Sequence, residues 1–180
     1  MRRFVNVTHV SLDGVMERME DWHFEYADDE LDQVVWETLS PCDALVLGRR
    51  TYEGFAEAWP GRGGRIAEKL NGMDKYLAST TITDPAWEKT SVLGADLGES
   101  LAKLKEGPGG DVMSYGFGPV ARTMLQNGLL DELHIGINPV FAGKGKLDEM
   151  LIQQGAQERL ALIGTRVLDS GVVMLTYRRQ

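Results

Sequence analysis

The stretch Leu45-Val46-Leu47-Gly48-Arg49-Arg50-Thr51-Tyr52-Glu53 carries an apolar run directly into a glycine, two guanidinium groups and a hydroxyl. If the run is a strand and Arg49 opens a helix, this is an anion site. The glycine lets a ligand approach the backbone, the helix start offers unpaired N–H groups, and Arg binds phosphate oxygens in pairs. The plainer alternative makes Arg49 and Arg50 surface charges and Thr51 a helix cap. A second pattern, Tyr115-Gly116-Phe117-Gly118-Pro119-Val120-Ala121, matches G-x-G-x-x-A, though it lies late in the chain and no clean acid follows at the end of the next strand. A full dinucleotide fingerprint is therefore the lesser reading. Two glycines before a helix permit close approach by a pyrophosphate or a nicotinamide, or simply make a tight turn. Ser79-Thr80-Thr81 adds hydroxyls at a third strand end; with its neighbours it would place a nucleotide along the carboxyl ends of a sheet.

For acid chemistry the candidate is Asp32, which shares a helical stripe with Val35 and Leu39 and is expected to face or border an apolar surface. Burial there would raise its pKa and make it a proton source for reducing a C=N bond; otherwise it complements the helix dipole, and Asp29 and Glu30 compete for either role. Asp13 and Trp22 are the candidates for substrate contact. His9, His23 and His134 are far apart in sequence and have no zinc spacing with Cys42, so each reads as a structural or surface histidine and no metal site is expected. Gly143-Lys144-Gly145-Lys146 lacks the spacing of a phosphate loop, and no G-x-S-x-G elbow is present.

These residues need a scaffold that alternates strands and helices. Arg3 to Leu12 reads as a central strand ending in the turn Ser11-Leu12-Asp13-Gly14, and a polar, aromatic loop from Glu20 to Ala27 follows. Asp28 or Asp29 caps a helix with apolar positions Leu31, Val34, Val35 and Leu39, closed by Ser40-Pro41. Ala44 to Leu47 is a strand buried on both faces, and the helix after it ends at Trp59-Pro60-Gly61. Strands near 75–80 and 91–93, a helix over 97–106, a strand over 112–115, a helix from Pro119 to about Gly128 and a strand over 133–137 continue the alternation. Leu160 to Leu168 and Val172 to Tyr177 flank Asp169-Ser170-Gly171, which is hairpin chemistry. The fold class is α/β: a three-layer α/β/α sandwich with a mixed central sheet and an antiparallel C-terminal hairpin, forming one domain over residues 1–180.

Composition removes several function classes. A chain of 180 residues with net charge −8 and scattered Lys and Arg has no basic stripe for a nucleic acid. No apolar run approaches the ~18 to 20 residues needed to cross a bilayer. Cys42 is the only cysteine and the N-terminus enters a strand-like run at once, so a reducing cytoplasm is the expected compartment.

The order strand-Gly-Arg-Arg-Thr-Tyr-Glu, Tyr-Gly-Phe-Gly-Pro, Gly128-Leu129-Leu130-Asp131-Glu132-Leu133 and Pro139-Val140-Phe141-Ala142-Gly143-Lys144-Gly145 resembles the dihydrofolate-reductase-like superfamily. With Ser11 to Gly14, it resembles most the reductase domain of the bifunctional riboflavin-biosynthesis deaminase-reductase and bacterial proteins like it. The resemblance covers nearly the whole chain and implies an NADPH-dependent reductase acting on a pteridine- or pyrimidine-like heterocycle, in a cleft between the first strand's exit loop and the first helix. It implies that Gly48, Arg49, Arg50 and Thr51 hold cofactor phosphates, the arginines favouring the 2′-phosphate. Ser79 and Thr80 would make a second adenosine-phosphate contact, and Gly116, Phe117, Gly118 and Pro119 would line the pyrophosphate and nicotinamide side. Asp32 falls about where dihydrofolate reductases keep their pterin-binding carboxylate. The first loop, with Met16, Met19, Trp22, His23 and Tyr26, departs from theirs, and no deaminase-like segment is read within these residues. Two other readings stand beside the enzyme: a non-catalytic nucleotide-binding or regulatory protein, and a homodimer built on the terminal hairpin with an unrelated small ligand.

Overall fold

The computed structural model describes residues 1–151 and 157–180. One sheet of eight strands organises them: β1 (Phe4–Ser11), β2 (Cys42–Gly48), β3 (Asp74–Ala78), β4 (Thr90–Val92), β5 (Asp111–Tyr115), β6 (Glu132–Asn138), β7 (Leu160–Val167) and β8 (Val173–Arg179). Their spatial order is β4-β3-β2-β5-β1-β6-β8-β7. The six strands from β4 to β6 are parallel, and only β8 runs against its neighbours, pairing antiparallel with both β6 and β7. The expected α/β class, mixed sheet and C-terminal hairpin are thus observed; the hairpin turns at Gly171, whose φ of +86° suits a residue without a side chain.

Among the described residues five α-helices cover the two faces: α1 (Asp29–Leu39), α2 (Arg49–Ala58), α3 (Arg65–Gly72), α4 (Leu97–Glu106) and α5 (Pro119–Gln126). Alternation along each strand sends one set of side chains to each layer. Phe4, Ala44, Val46, Val112 and Leu133 pack on Leu101 of α4 and on Val120, Ala121 and Met124 of α5. On the opposite face Val7, Leu45, Leu47, Leu77 and Met113 meet Leu39, Tyr52 and Leu70 from α1, α2 and α3, while Leu31 and Val34 of α1 close over Leu168, Val172 and Met174.

The helix starts follow their local chemistry. Asp28 caps α1 by accepting from the Leu31 N–H at 2.8 Å, and Asp96 caps α4 by accepting from the Glu99 N–H at 2.9 Å. Helix α3 is an addition to the expected elements. It is locked to β3 and β4 by the buried Lys75, whose Nζ donates to the carbonyls of Asn71, Met73 and Glu88 and sits over the Trp87 ring. Burial pushes that ammonium down to about 8.

Candidate functional site

The carboxyl ends of β3, β2 and β5 lie side by side and deliver the glycine-led segments to one edge of the sheet. Gly48 is the β-sheet partner of Ala78, so Ser79 leaves its strand directly beside the start of α2. Gly116 has φ +74°, and a methyl group placed there would stand 4.0 Å from Thr51 Oγ1; one at Gly48 would stand 3.6 Å from Val120 of α5. The two helix starts therefore lie side by side, with the positive φ at Gly116 favouring a residue without a side chain. Gly48 caps α2 and Gly118 caps α5; neither N-terminus has a side-chain cap or an acid in its first turn. Their N–H groups and dipoles are directed outward, which is the chemistry of an anion cradle.

The other cofactor candidates border this edge. Arg49 pairs with Glu53 at 3.1 Å and Arg50 with Asp148 at 3.6 Å, both on the surface. Exposed pairs of this kind contribute about 0–1 kcal/mol, so a phosphate competes for either guanidinium at small cost. Ser79 Oγ accepts from the N–H groups of Thr81 and Ile82, at 3.2 and 3.0 Å, and lies 3.4 Å from the Thr81 hydroxyl; Thr80 is exposed. Phe117 is buried against α4 and α5 and shapes the turn from the core side, and Pro119 opens α5 from the surface.

The substrate-side expectations fare differently. Asp32 is exposed, because the stripe of α1 that faces the sheet is Leu31, Val34 and Leu39, and a residue one step past Leu31 turns out toward solvent. The expected carboxyl in an apolar cleft is not at this position. Asp13 is occupied in tying the exit of β1 to the 139–145 loop: Oδ1 accepts from the Ser11 hydroxyl at 2.6 Å and the Ala142 N–H at 2.9 Å, and Oδ2 accepts from the Gly143 N–H at 2.9 Å. These bonds, the Ser11 hydroxyl foremost, hold its carboxyl down at about 2. Trp22 is buried within its own loop, where Nε1 donates to the Glu17 carbonyl at 3.0 Å.

What sequence separation concealed is a row of histidines on one sheet face. Parallel pairing sets His9 of β1 beside Gly136 of β6, Val7 beside His134 and Ser11 beside Asn138. The loop after β1 returns over this row, so that His23 lies 4.2 Å from His9 between ring centroids and its Nδ1 is 3.1 Å from Asn138 Oδ1. His134 is held between Thr176 Oγ1 and Glu132, each at 3.3 Å. Burial, helped by His23, pushes His9 down to about 3, and burial also lowers His23 and His134, so all three are neutral near pH 7. His9 and His23 are therefore not surface residues. The alternations Val7-x-His9-x-Ser11 and His134-x-Gly136-x-Asn138 were the available signal. Among the described residues no three His, Cys, Asp or Glu side chains gather as a metal would require.

Beneath α1 these groups line a groove. Its narrow inner end, about 10 Å³, is walled by His9, Tyr115, Met113 and Val35. Its mouth, about 400 Å³, opens at the amino ends of β1, β5 and β6 among Arg3, Asp111, Glu132, Glu37 and Arg166. Val34, Thr38, His134 and Met174 line both parts. Tyr115 precedes Gly116, so the inner end abuts the glycine-led edge.

Comparison with known proteins gives the family and the fold. A family model described as RibD C-terminal domain matches residues 3–174. The uncharacterized protein YyaP of Bacillus subtilis is 26% identical over 98% of this chain and 94% of its own length. Among solved structures, a putative riboflavin biosynthesis protein from Shewanella sp. PV-4 superposes with a TM-score of 0.77 at 19% identity, covering 99% of both chains. Dihydrofolate reductase from Enterococcus faecalis, solved with NADP(H), superposes with a TM-score of 0.64 at 18% identity, covering 99% of this chain and 96% of that one. At these identities the two structures establish the shared fold.

Proposed function

We propose a reductase function from one premise: the chain belongs to the RibD C-terminal domain family. In this reading it is an NADPH-dependent oxidoreductase acting on a pteridine- or pyrimidine-like heterocycle. The observation that carries it is the pairing of two uncapped, glycine-led helix starts, at Gly48 and Gly118, across the Thr51–Gly116 gap and next to the inner end of a groove. The NADP(H) bound by the Enterococcus faecalis neighbour supports the same cofactor here.

The residues present fit such a cofactor. The N–H groups opening α2 and α5 would bind its pyrophosphate, Thr51 and Ser79 would donate hydroxyl protons to phosphate oxygens, and Arg49 or Arg50 would take the 2′-phosphate that separates NADPH from NADH. When bound, the cofactor supplies a hydride, and a proton from solvent or from the substrate's surroundings completes the two-electron reduction of a ring double bond. The chain's own contribution would be orientation and a dry wall: Tyr115, His9 and Val35 present neutral groups beside the acceptor that neither repel a hydride nor admit bulk water.

The test is thermal denaturation of the purified protein with NADPH or NADH. Saturating ligand stabilises the folded state by mass action, about 2.7 kcal/mol at a hundredfold excess over Kd. A saturable shift larger for NADPH is expected, followed by NADPH oxidation with a heterocycle panel. A folded protein that melts cooperatively and shows no shift with either nucleotide contradicts the reading. The exposure of Asp32 is the one observation favouring a non-catalytic nucleotide-binding protein, and binding without turnover across the panel would select it.

A further inference from the structure

We infer that Asn6, a buried amide in β1, is a positioning residue for the cofactor: it fixes the carbonyl of Gly116 and with it the turn that opens α5. The part played toward a cofactor rests on the reductase reading; the hold on the turn rests on hydrogen bonds within this chain.

Asn6 is fully buried and shares with Phe4 the sheet face that packs against α4 and α5. Parallel pairing sets it beside Ser114 of β5, and Val7 beside Tyr115. Regular pairing ends there: the Gly116 N–H donates to the Val7 carbonyl at 2.9 Å, and at φ +74° the chain then turns away. The Gly116 carbonyl therefore leaves the ladder and needs a donor from elsewhere. The Asn6 side chain supplies it. Nδ2 donates to Gly116 O and to Ser114 Oγ at 2.9 Å each, and stands 3.4 Å from the Ser114 carbonyl. Two of these partners are carbonyls, which only accept, so the nitrogen of the amide faces them and not the oxygen.

Stability alone is a poor reason for an amide at this position. Its Oδ1 is buried with no hydrogen-bond partner among the described residues, and so is Oγ1 of Thr8, the next residue on the same face. Orphaned acceptors destabilise a fold, and such breaches concentrate where a chain does more than pack. What the amide secures is a direction. The peptide after Gly116 is planar, so a carbonyl turned inward to Asn6 carries its negative end away from the start of α5. Rotated outward, that oxygen would stand near the positive end of the helix and repel a phosphate. Gly118, two residues on, begins α5 with no side-chain cap and no acid in its first turn. Asn6 thus acts through the backbone and keeps this side of the cradle positive.

The experiment uses the whole chain, isothermal titration with NADPH and NADH, and phosphorus NMR of the protein saturated with NADPH. Asn6→Leu stays near the shape of the side chain and removes the donor. It is expected to raise the Kd of both nucleotides about tenfold, the scale of one hydrogen bond to a charged group. The pyrophosphate signals of bound NADPH should move while the 2′-phosphate signal keeps its wild-type position. Leu101→Ala, a truncation of a buried residue of α4, is the control for lost stability: its melting temperature drops and both Kd values stay at wild type. Should Asn6→Leu fail to melt cooperatively, Ser114→Ala, which removes one partner of the same amide, is expected to weaken both nucleotides in equal proportion. Unchanged Kd values in the folded variant, unmoved pyrophosphate signals, or an equal loss in Leu101→Ala overturns the inference. If the wild type binds neither nucleotide, the reductase reading falls and takes the positioning role with it; if the wild type and Asn6→Leu bind both equally, the reading stands and the inference falls alone.

Discussion

The imidazole of His9 lies in a notch that exists because Gly136 has no side chain: a methyl group there would stand 2.3 Å from His9 Nδ1 and 2.9 Å from Met174 Sδ. That nitrogen is buried and has no hydrogen-bond partner among the described residues, and the His23 ring packs against the imidazole. Gly136→Ala is expected to cost about 1–3 kcal/mol, the usual range for overpacking a core. Adding His9→Ala should recover most of the loss. Denaturant unfolding of the two single variants and the double variant measures the coupling, and strictly additive effects would show that the notch does not hold His9.

The same histidine sets a pH dependence. A folded-state pKa below the unfolded value near 6.5 means the unfolded chain binds more protons, so stability is complete above that pH and falls on acidification toward about 3. His23, lowered by burial as well, adds to the slope. Each such group contributes up to about 1.4 kcal/mol per pH unit. The melting temperature of the wild type should drop between pH 6 and 4, and His9→Gln should flatten the curve. Parallel curves for the two proteins would refute the assignment.

Arg50 reaches from α2 to Asp148, and Arg49 to Glu53. If either takes the 2′-phosphate, its replacement by Ala raises the Kd for NADPH about tenfold, equivalent to about 1.4 kcal/mol, and leaves NADH unchanged. Titration of both nucleotides at two salt concentrations tests this. Equal loss for the two nucleotides would place the arginine elsewhere on the ligand.

Asp13 holds the N–H groups of Ala142 and Gly143. Asp13→Ala is expected to speed amide exchange at those two residues at least tenfold while strand amides of β1 stay protected. Since the carboxyl titrates near 2, lowering the pH of the wild type to 4 should leave both amides slow. Exchange rates insensitive to the substitution would mean the loop is positioned by other contacts.

Much of this architecture was readable before the structure. The Asp28 cap with the spacing of Leu31, Val34 and Leu39 predicts α1, and the glycine starts before α2 and α5 mark the edge where the helices meet. Local chemistry fixes such features, so they survive as pattern. Helix α3 did not, because Gly61-Arg62-Gly63-Gly64 dominates its approach and only Ile66, Ala67 and Leu70 carry an apolar signal. The histidine row is a product of strand pairing between residues more than a hundred positions apart, so the two local alternations carry no sign that they adjoin. Asp32 was misplaced for the opposite reason: a helical stripe has edges, and a residue at its border can fall on either side.

The strand order has a consequence for how the chain comes to be folded. β1 is made first, yet both of its partners, β5 and β6, begin at residue 111 or later, and Asn6 finds Ser114 across 108 positions. β2 likewise awaits β5 on one side. A nascent chain growing at about 5–20 residues per second therefore holds two apolar strands with unfilled edges for some seconds, until β5 slots between them. The late arrival of a single five-residue strand decides when the sheet becomes one cooperative unit, and the interval before it is when a chaperone or a misplaced neighbouring strand would compete most strongly.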